Sequence, residues 1–414
     1  METMPRRTAV MVFFAFACAY FLSALIRAIT ATLSPVLTQE FALSARDLGL
    51  LAGGYFLGFA ATQLPLGAWL DRFGPKKVIL GFLSVAVVGC AAFAQATSFH
   101  GLLLARILSG IGVSACLMAP LTGYRRWFSA ASQLRSNSWM LMTGSMGMVA
   151  ATLPVQWLMP MYGWRPLFWL LSLLLLLAML LIAAQVPAWQ TRPLPVVQPN
   201  QTGSGHSASY AEVWRHPYFR KMAPLAVFIY GGLVAIQTLW ATPWMIQVAG
   251  WSALQAASGM FWINLAMLCA FLTWGMISPW LTRRGCGADR LIRYGMPYSF
   301  FILAIIIISG SAIDIWAGAL FAIYCVSCTF VALTQQAVAM AFAPTLAGRA
   351  LSAYNLLIFS GVFGVQWGIG LIVDAMVTLG RTPVQAFQTA MSVYLLCCVL
   401  SYVYFLVAKS HNPA

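Results

Sequence analysis

Apolar residues come in long blocks over almost the whole chain, broken by short polar or Gly/Pro-containing stretches. A helix needs about 20 residues to cross the hydrocarbon core of a bilayer. Twelve blocks reach that length, at roughly 8–34, 46–70, 77–96, 99–123, 135–159, 166–186, 222–248, 253–281, 289–310, 312–340, 350–374 and 386–408, with ends good to about 2–4 residues. Inside hydrocarbon the backbone has no water to bond, so each block must be helical. The pattern predicts an all-α membrane protein of twelve transmembrane helices.

The pattern also repeats. The octet Gly67-Ala68-Trp69-Leu70-Asp71-Arg72-Phe73-Gly74 returns in degraded form as Ser278-Pro279-Trp280-Leu281-Thr282-Arg283-Arg284-Gly285. Val155-Gln156-Trp157 returns as Val365-Gln366-Trp367 in nearly the same register. The chain therefore reads as two pseudo-symmetric six-helix halves, 1–186 and 222–414, joined by a cytoplasmic linker at 187–221. Such a duplication is typical of secondary transporters, whose substrate sites lie between the repeats. The linker opens with Pro193, Pro195, Pro199, Gly203 and Gly205 among polar residues, which predicts a flexible tether. Its end, Tyr210 to His216, is expected to form a short amphipathic surface helix.

Composition narrows the class. Apolar residues make up 61% of the chain and charged residues 7%. The net charge of +15 would suggest nucleic acid in a soluble domain, but position removes that reading. With the N-terminus inside, 18 of the 23 basic residues fall in cytoplasmic segments and 3 (Arg46, Arg165 and Arg381) on the opposite side. This asymmetry is the positive-inside rule and predicts both termini in the cytoplasm. Arg6 and Arg7 precede an apolar run too long for a signal peptide, so the first span is expected to stay in the mature protein. Eight of the nine cysteines lie inside spans and Cys286 in a cytoplasmic loop, so no disulfide framework is expected.

Between the second and third spans stands Gly67-x-x-x-Asp71-Arg72-x-Gly74-Pro75-Lys76-Lys77. This stretch resembles the signature loop of the major facilitator superfamily, and the twelve spans, the weaker copy after the eighth and the long central loop fit the same family. The resemblance implies a bacterial-type transporter of the inner membrane. It also implies that Gly67, Asp71, Arg72 and Gly74 act in gating, with Asp71 meeting the start of the eleventh span near Gly348 to Ala350 and locking the outward-facing state. A carboxylate at a helix N-terminus is favoured by about 0.3–1 kcal/mol, and a glycine permits close backbone approach. In the second copy Thr282 replaces the aspartate, so the matching lock should be weaker.

Candidate chemistry follows from what the spans lack. The eight acidic residues, Glu2, Glu40, Asp47, Asp71, Glu212, Asp289, Asp314 and Asp374, avoid the middles of spans, and all four histidines lie outside them. Only Arg27 and Arg106 carry charge at depth, where insertion of an arginine costs about 2.5–3.5 kcal/mol and usually marks function. Both sit roughly 7–9 Å to the periplasmic side of the midplane. They can share one anionic partner: a substrate, another ion, water or backbone carbonyl.

Tyr20, Ser23 and Arg27 follow helical spacing on one face of the first span. Tyr230, Gln237 and Trp240 share a face of the seventh, and Asn355 and Gln366 a face of the eleventh. In the resembled family, spans 1, 4, 7 and 10 line the central path while 2, 5, 8 and 11 flank it. These nine residues, Arg106 included, are the expected substrate-binding set.

Arg106, Gly110 and Gly112 also resemble a pattern common in proton-coupled branches of the superfamily, where the arginine is structural or coupling. The glycine-proline motif of drug antiporters is not reproduced by Gly144, Gly147 and Pro154. The expected function is transport of a small organic anion such as a carboxylate by alternating access, with a coupling proton or an exchanged anion. A proton-coupled exporter of hydrophobic compounds is the alternative. A non-transporting sensor or membrane-embedded enzyme would need a signalling domain or catalytic cluster. No cofactor, metal or nucleic-acid partner is expected; the lipid bilayer is.

Overall fold

The computed structural model describes residues 4–188, 210–284 and 287–408. Its first part comprises α1 (Arg6–Phe41), α2 (Ala45–Ala61), α3 (Gln63–Gln95), α4 (Phe99–Val113), α5 (Ala115–Trp127), α6 (Ala130–Ala150), α7 (Leu153–Tyr162) and α8 (Trp164–Gln185). Then come α9 (Tyr210–Arg215), α10 (Pro217–Pro224), α11 (Gly231–Ala235) and α12 (Ala241–Gln247), followed by α13 (Ala253–Arg283) and α14 (Ala288–Ser309). The last are α15 (Ala317–Cys328), α16 (Leu333–Met340), α17 (Pro344–Thr378) and α18 (Pro383–Val407). The described residues contain no strand. Residues 189–209, which hold most of the expected flexible tether, lie outside the described residues, as does Cys286.

Nine helical runs among the described residues are long and apolar enough to cross a membrane. Breaks reconcile these runs with the sequence pattern. Within α3, Gly74 adopts φ 76°, a conformation that only glycine takes without strain, and the chain turns there from the second predicted span into the third. Gly310–Trp316 is a 3₁₀ turn between the ninth and tenth. The fifth divides into α6 and α7 at Ala151 and Thr152. Counted with these breaks, the course is compatible with twelve passes.

Several turns are fixed locally. Ser44 and Asp47 form a capping box that starts α2, satisfying two orphan N–H groups of the first turn. Thr382 and Gln385 do the same for α18. Glu40, at the end of α1, accepts from the Trp164 indole at 2.7 Å and pairs with Arg165 at 2.6 Å, tying α1 to α8. The expected surface helix of the linker is α9, and its Tyr210 hydroxyl donates to the Leu64 carbonyl at 3.2 Å.

The first part meets the second chiefly where α2 lies along α17. At Gly49 a side chain would collide with the Gln366 carbonyl, and at Gly370 with the Ala45 carbonyl, so the two backbones touch at the end of the bundle away from the termini. Asp374 completes this closure. Its carboxylate accepts from the backbone N–H of Ala45 at 3.0 Å and of Arg46 at 2.9 Å. An α17 side chain thus serves the orphan donors of the α2 N-terminus, where negative charge is favoured. Toward the other end α3 takes over beside α17 and the approach is looser: the atom nearest to a side chain built at Gly67 is the Ser352 hydroxyl, 4.0 Å away.

Candidate functional site

Arg27 and Arg106 lie on α1 and α4, and Tyr55 of α2 touches both. Arg106 is fully buried. Its guanidinium donates to the Ile26 carbonyl at 3.0 Å and lies 4.9 Å from the Tyr55 ring centroid, within cation–π range. Two of its nitrogens, Nε and Nη2, have no partner among the described residues. Tyr55 donates its hydroxyl to the Ser23 carbonyl at 3.3 Å. Arg106 and Tyr55 therefore grip two carbonyls of the turn that precedes Arg27. Helix α4 comes close enough to do this because side chains at Gly110 and Gly112 would strike the backbones of Tyr55 and Ala86.

Arg27 is different. It is only half-buried, its guanidinium lies 5.8 Å from the Phe59 centroid, and its Nε is unpartnered among the described residues. Tyr20, Tyr55 and Tyr230 lie within its electrostatic reach. No carboxylate neutralises it: the ion pairs of the described residues are Arg46–Asp47, Arg165–Glu40 and Lys221–Asp289, all elsewhere. Tyr20 packs against Gly144, and the Ser23 hydroxyl is buried without a partner. The expected cluster of Tyr20, Ser23 and Arg27 thus gathers in one place with Tyr230.

The rest of the expected set disperses. Gln237 and Trp240 sit on a π-helical turn, Ile236–Trp240, and Tyr230 ends another, Leu225–Tyr230. A π turn is wider than an α turn, so residues chosen by α spacing lose their common face. Gln237 turns to Asn264 of α13, donating at 3.0 Å. The Trp240 indole donates to the Gln366 carbonyl at 3.1 Å. Gln366 donates to the Thr238 hydroxyl at 3.0 Å. Asn355 accepts from Gln335 of α16 at 2.8 Å. These four side chains are buried and held by neighbouring helices. The expectation that Arg27 and Arg106 share one anion meets a physical obstacle: Arg106 is fully buried against the Ile26 carbonyl and the Tyr55 ring, and its two unpartnered nitrogens are sealed from solvent, which leaves Arg27 the more accessible cation.

Among the gating residues, Asp71 and Arg72 are exposed and Gly74 makes the buried turn. Asp71 forms no hydrogen bond or ion pair with the described residues, so the expected contact with α17 is not made in this conformation. Sequence reasoning passed over Tyr55, Asn264 and the bridging role of Asp374. Asn264 carried a signal, as an amide near the middle of an apolar span; Tyr55 carried none apart from its place among glycines.

An all-helical bundle whose two parts meet most closely at one end, with a half-buried arginine without a carboxylate partner between them, defines the class: a membrane protein with the fold of secondary transporters. The profile of the Major Facilitator Superfamily matches residues 16–365. The chain belongs to that superfamily. Its relatives include the 4-hydroxybenzoate transporter PcaK of Acinetobacter baylyi, 29% identical over 33% of this chain and 30% of that protein. A gallate transporter of Pseudomonas putida is 26% identical over 60% of this chain and 61% of that one. A chloramphenicol resistance protein of Pseudomonas aeruginosa is 30% identical over 40% of this chain and 38% of that one. The matched stretch spans less than two thirds of each of these proteins. Among solved structures, a bacterial homolog of the human lysosomal transporter Spinster, inward-facing and unoccupied, superposes with a TM-score of 0.75 at 17% identity, covering 98% of both chains.

Proposed function

We propose that this protein is a secondary transporter of the inner membrane that carries a small organic anion, most simply a carboxylate, by rocking its halves, 1–186 and 222–414, about a central path. The observation that carries this reading is Arg27: a half-buried cation in the first helix, with an unpartnered Nε, no carboxylate beside it and tyrosines around it. A carboxylate would supply the missing charge, and guanidinium can grip it with two parallel bonds. Tyr20 and Tyr230 would then flank the ligand. The 4-hydroxybenzoate and gallate transporters among the relatives support the class of substrate. Arg106 acts as a support for the turn that carries Arg27, and Gln237, Trp240, Asn355 and Gln366 hold the helices that close around it.

With both termini cytoplasmic, the end closed by Asp374 faces the periplasm and the conformation is inward-facing. Gly67, Asp71, Arg72 and Gly74 gate the opposite end, and Asp71 engages α17 once that end closes. Coupling is exchange for a second anion, or symport of a proton bound outside the middle of the membrane. The second reading, a proton-coupled exporter of hydrophobic compounds, is favoured by the chloramphenicol resistance relative. Proteoliposome uptake separates the two. Accumulation of labelled 4-hydroxybenzoate or gallate, abolished in Arg27→Gln, is expected; transport of chloramphenicol alone, indifferent to Arg27, favours the exporter.

A further inference from the structure

A cavity of about 890 Å³ lies between α1 and α6 at the end of the bundle that carries the N-terminus, away from Arg27. Its mouth is basic and its body apolar. Arg6 and Arg135 line the opening together with Ser129 and Ser132, and among the described residues no acidic side chain lines it. Neither arginine has a hydrogen-bond or ion-pair partner among the described residues. Ser129 is also the N-cap of α6 and accepts from the Ser132 N–H, so the positive end of that helix opens onto the same mouth. The chain start is pinned beside it by a bond from the Met4 N–H to the Trp127 carbonyl at 3.2 Å.

Below the mouth the lining follows one face of each helix. On α1 this face runs from Arg6 to Phe21, and on α6 from Arg135 to Met146. From Arg6 to Phe21 the helix rises about 22 Å, enough to pass from a headgroup layer through one leaflet of a hydrocarbon core about 30 Å thick. Phe14 is 66% exposed, and Trp139 and Met146 are each 52% exposed, so no other helix covers this wall.

We propose that this groove is a binding site for an anionic phospholipid, its phosphate held between Arg6 and Arg135 and an acyl chain laid against Phe14, Trp139 and Met146. Charge complementarity selects the occupant. A zwitterionic lipid brings its own cation to a mouth with no acidic partner among the described residues, whereas a headgroup with net negative charge neutralises both arginines. Basic pockets between transmembrane helices recognise lipid headgroups in this way. The apolar wall requires the tail, so a free phosphate is not the ligand.

The test uses the full chain purified in detergent, with phosphatidylglycerol and phosphatidylcholine of identical acyl chains as probes and bound lipid counted by native mass spectrometry. The wild type should retain phosphatidylglycerol in preference. The double variant Arg6→Gln/Arg135→Gln should lose about 30-fold in apparent affinity, the combined contribution of two arginines near a membrane surface. Arg215→Gln/Arg220→Gln, which removes two arginines from the same end of the bundle but outside the groove, should retain the preference. Glycerol phosphate at equal concentration should not displace the lipid. As a measure independent of the folding of those variants, benzoylphenylalanine in place of Trp139 should crosslink to phosphatidylglycerol in otherwise native protein. Equal retention of the two lipids, an equal loss in the two double variants, displacement by glycerol phosphate, or displacement by 4-hydroxybenzoate with no lipid crosslink would each overturn the proposal, the last by making the groove an entrance for a soluble anion.

Discussion

Replacing Asp374 by alanine should open the end of the bundle that the structure holds shut. The carboxylate accepts two backbone N–H groups from a helix at the other side of the interface, at 3.0 and 2.9 Å. Hydrogen bonds to a charged group contribute about 1.5–3 kcal/mol each, and a carboxylate at a helix N-terminus about 0.3–1 kcal/mol. Asp374 is only half-buried and Arg46 is exposed, so water takes over part of what is lost. A net effect of about 2 kcal/mol remains, close to a 30-fold fall in the ratio of closed to open molecules. Both hydrogen-bond partners that the carboxylate finds among the described residues lie across the interface and none within its own half, so folding itself should be little affected. Spin labels at His100 and Leu379, both exposed and on opposite sides of the interface, report the change as a distance distribution in a cysteine-depleted background. The wild type should show mainly the short distance, and Asp374→Ala a large long-distance population. An unaltered distribution would mean that backbone packing alone closes this end and that the carboxylate does not contribute.

Three other outcomes are expected. Asp71→Asn should slow turnover while leaving substrate affinity within about threefold, because the residue acts on the conformational equilibrium; equal loss of affinity and turnover, measured by binding and uptake on one preparation, would contradict this. Gly110→Val should lower thermal stability severely, by more than about 3 kcal/mol, because overpacking against the Tyr55 backbone cannot be relieved by rotating a side chain; a melting temperature like the wild type's would refute the close approach. Cysteines at Thr97 and Leu379 should react with an impermeant thiol reagent added outside cells, and one at Glu212 should not; the reverse pattern would invert the proposed orientation.

The membrane class, the helical content and the family were legible in the sequence because each depends on long-range averages: block length, apolar share and a repeated octet. Arg27 was legible for a related reason. An arginine inside a span is costly wherever it lies, so its presence speaks without knowledge of its neighbours. Its equal in the sequence, Arg106, differs in burial, which depends on which backbone comes near: Gly110 and Gly112 bring α2 and α3 against α4, and Arg106 is fully enclosed while Arg27 is half-buried. In the seventh span the partners of the expected residues diverge for a geometric reason. Two π turns change the angle per residue, and no residue type marks them; Gln237 donates to Asn264 and the Trp240 indole to the Gln366 carbonyl, whereas Tyr230 lies near Arg27. Asp374 was visible as an acid at the end of a span, but its partners lie 329 and 328 residues away in the chain. Bonds to backbone N–H groups leave no trace in the residue types of the acceptor's partner.

The central claim is that the transported molecule is an anion held by Arg27, and the most direct measurement is equilibrium binding by isothermal titration to the wild type, Arg27→Lys and Arg27→Gln. A panel of 4-hydroxybenzoate, gallate, their uncharged amides and an amine of similar size supplies the ligands. The account predicts that only the carboxylates bind the wild type, that Arg27→Gln abolishes binding, and that Arg27→Lys weakens it by at least tenfold, because an ammonium keeps the charge but lacks the planar fork. Tighter binding of the amine or the amides than of the carboxylates, or unchanged carboxylate affinity in Arg27→Gln, would contradict it.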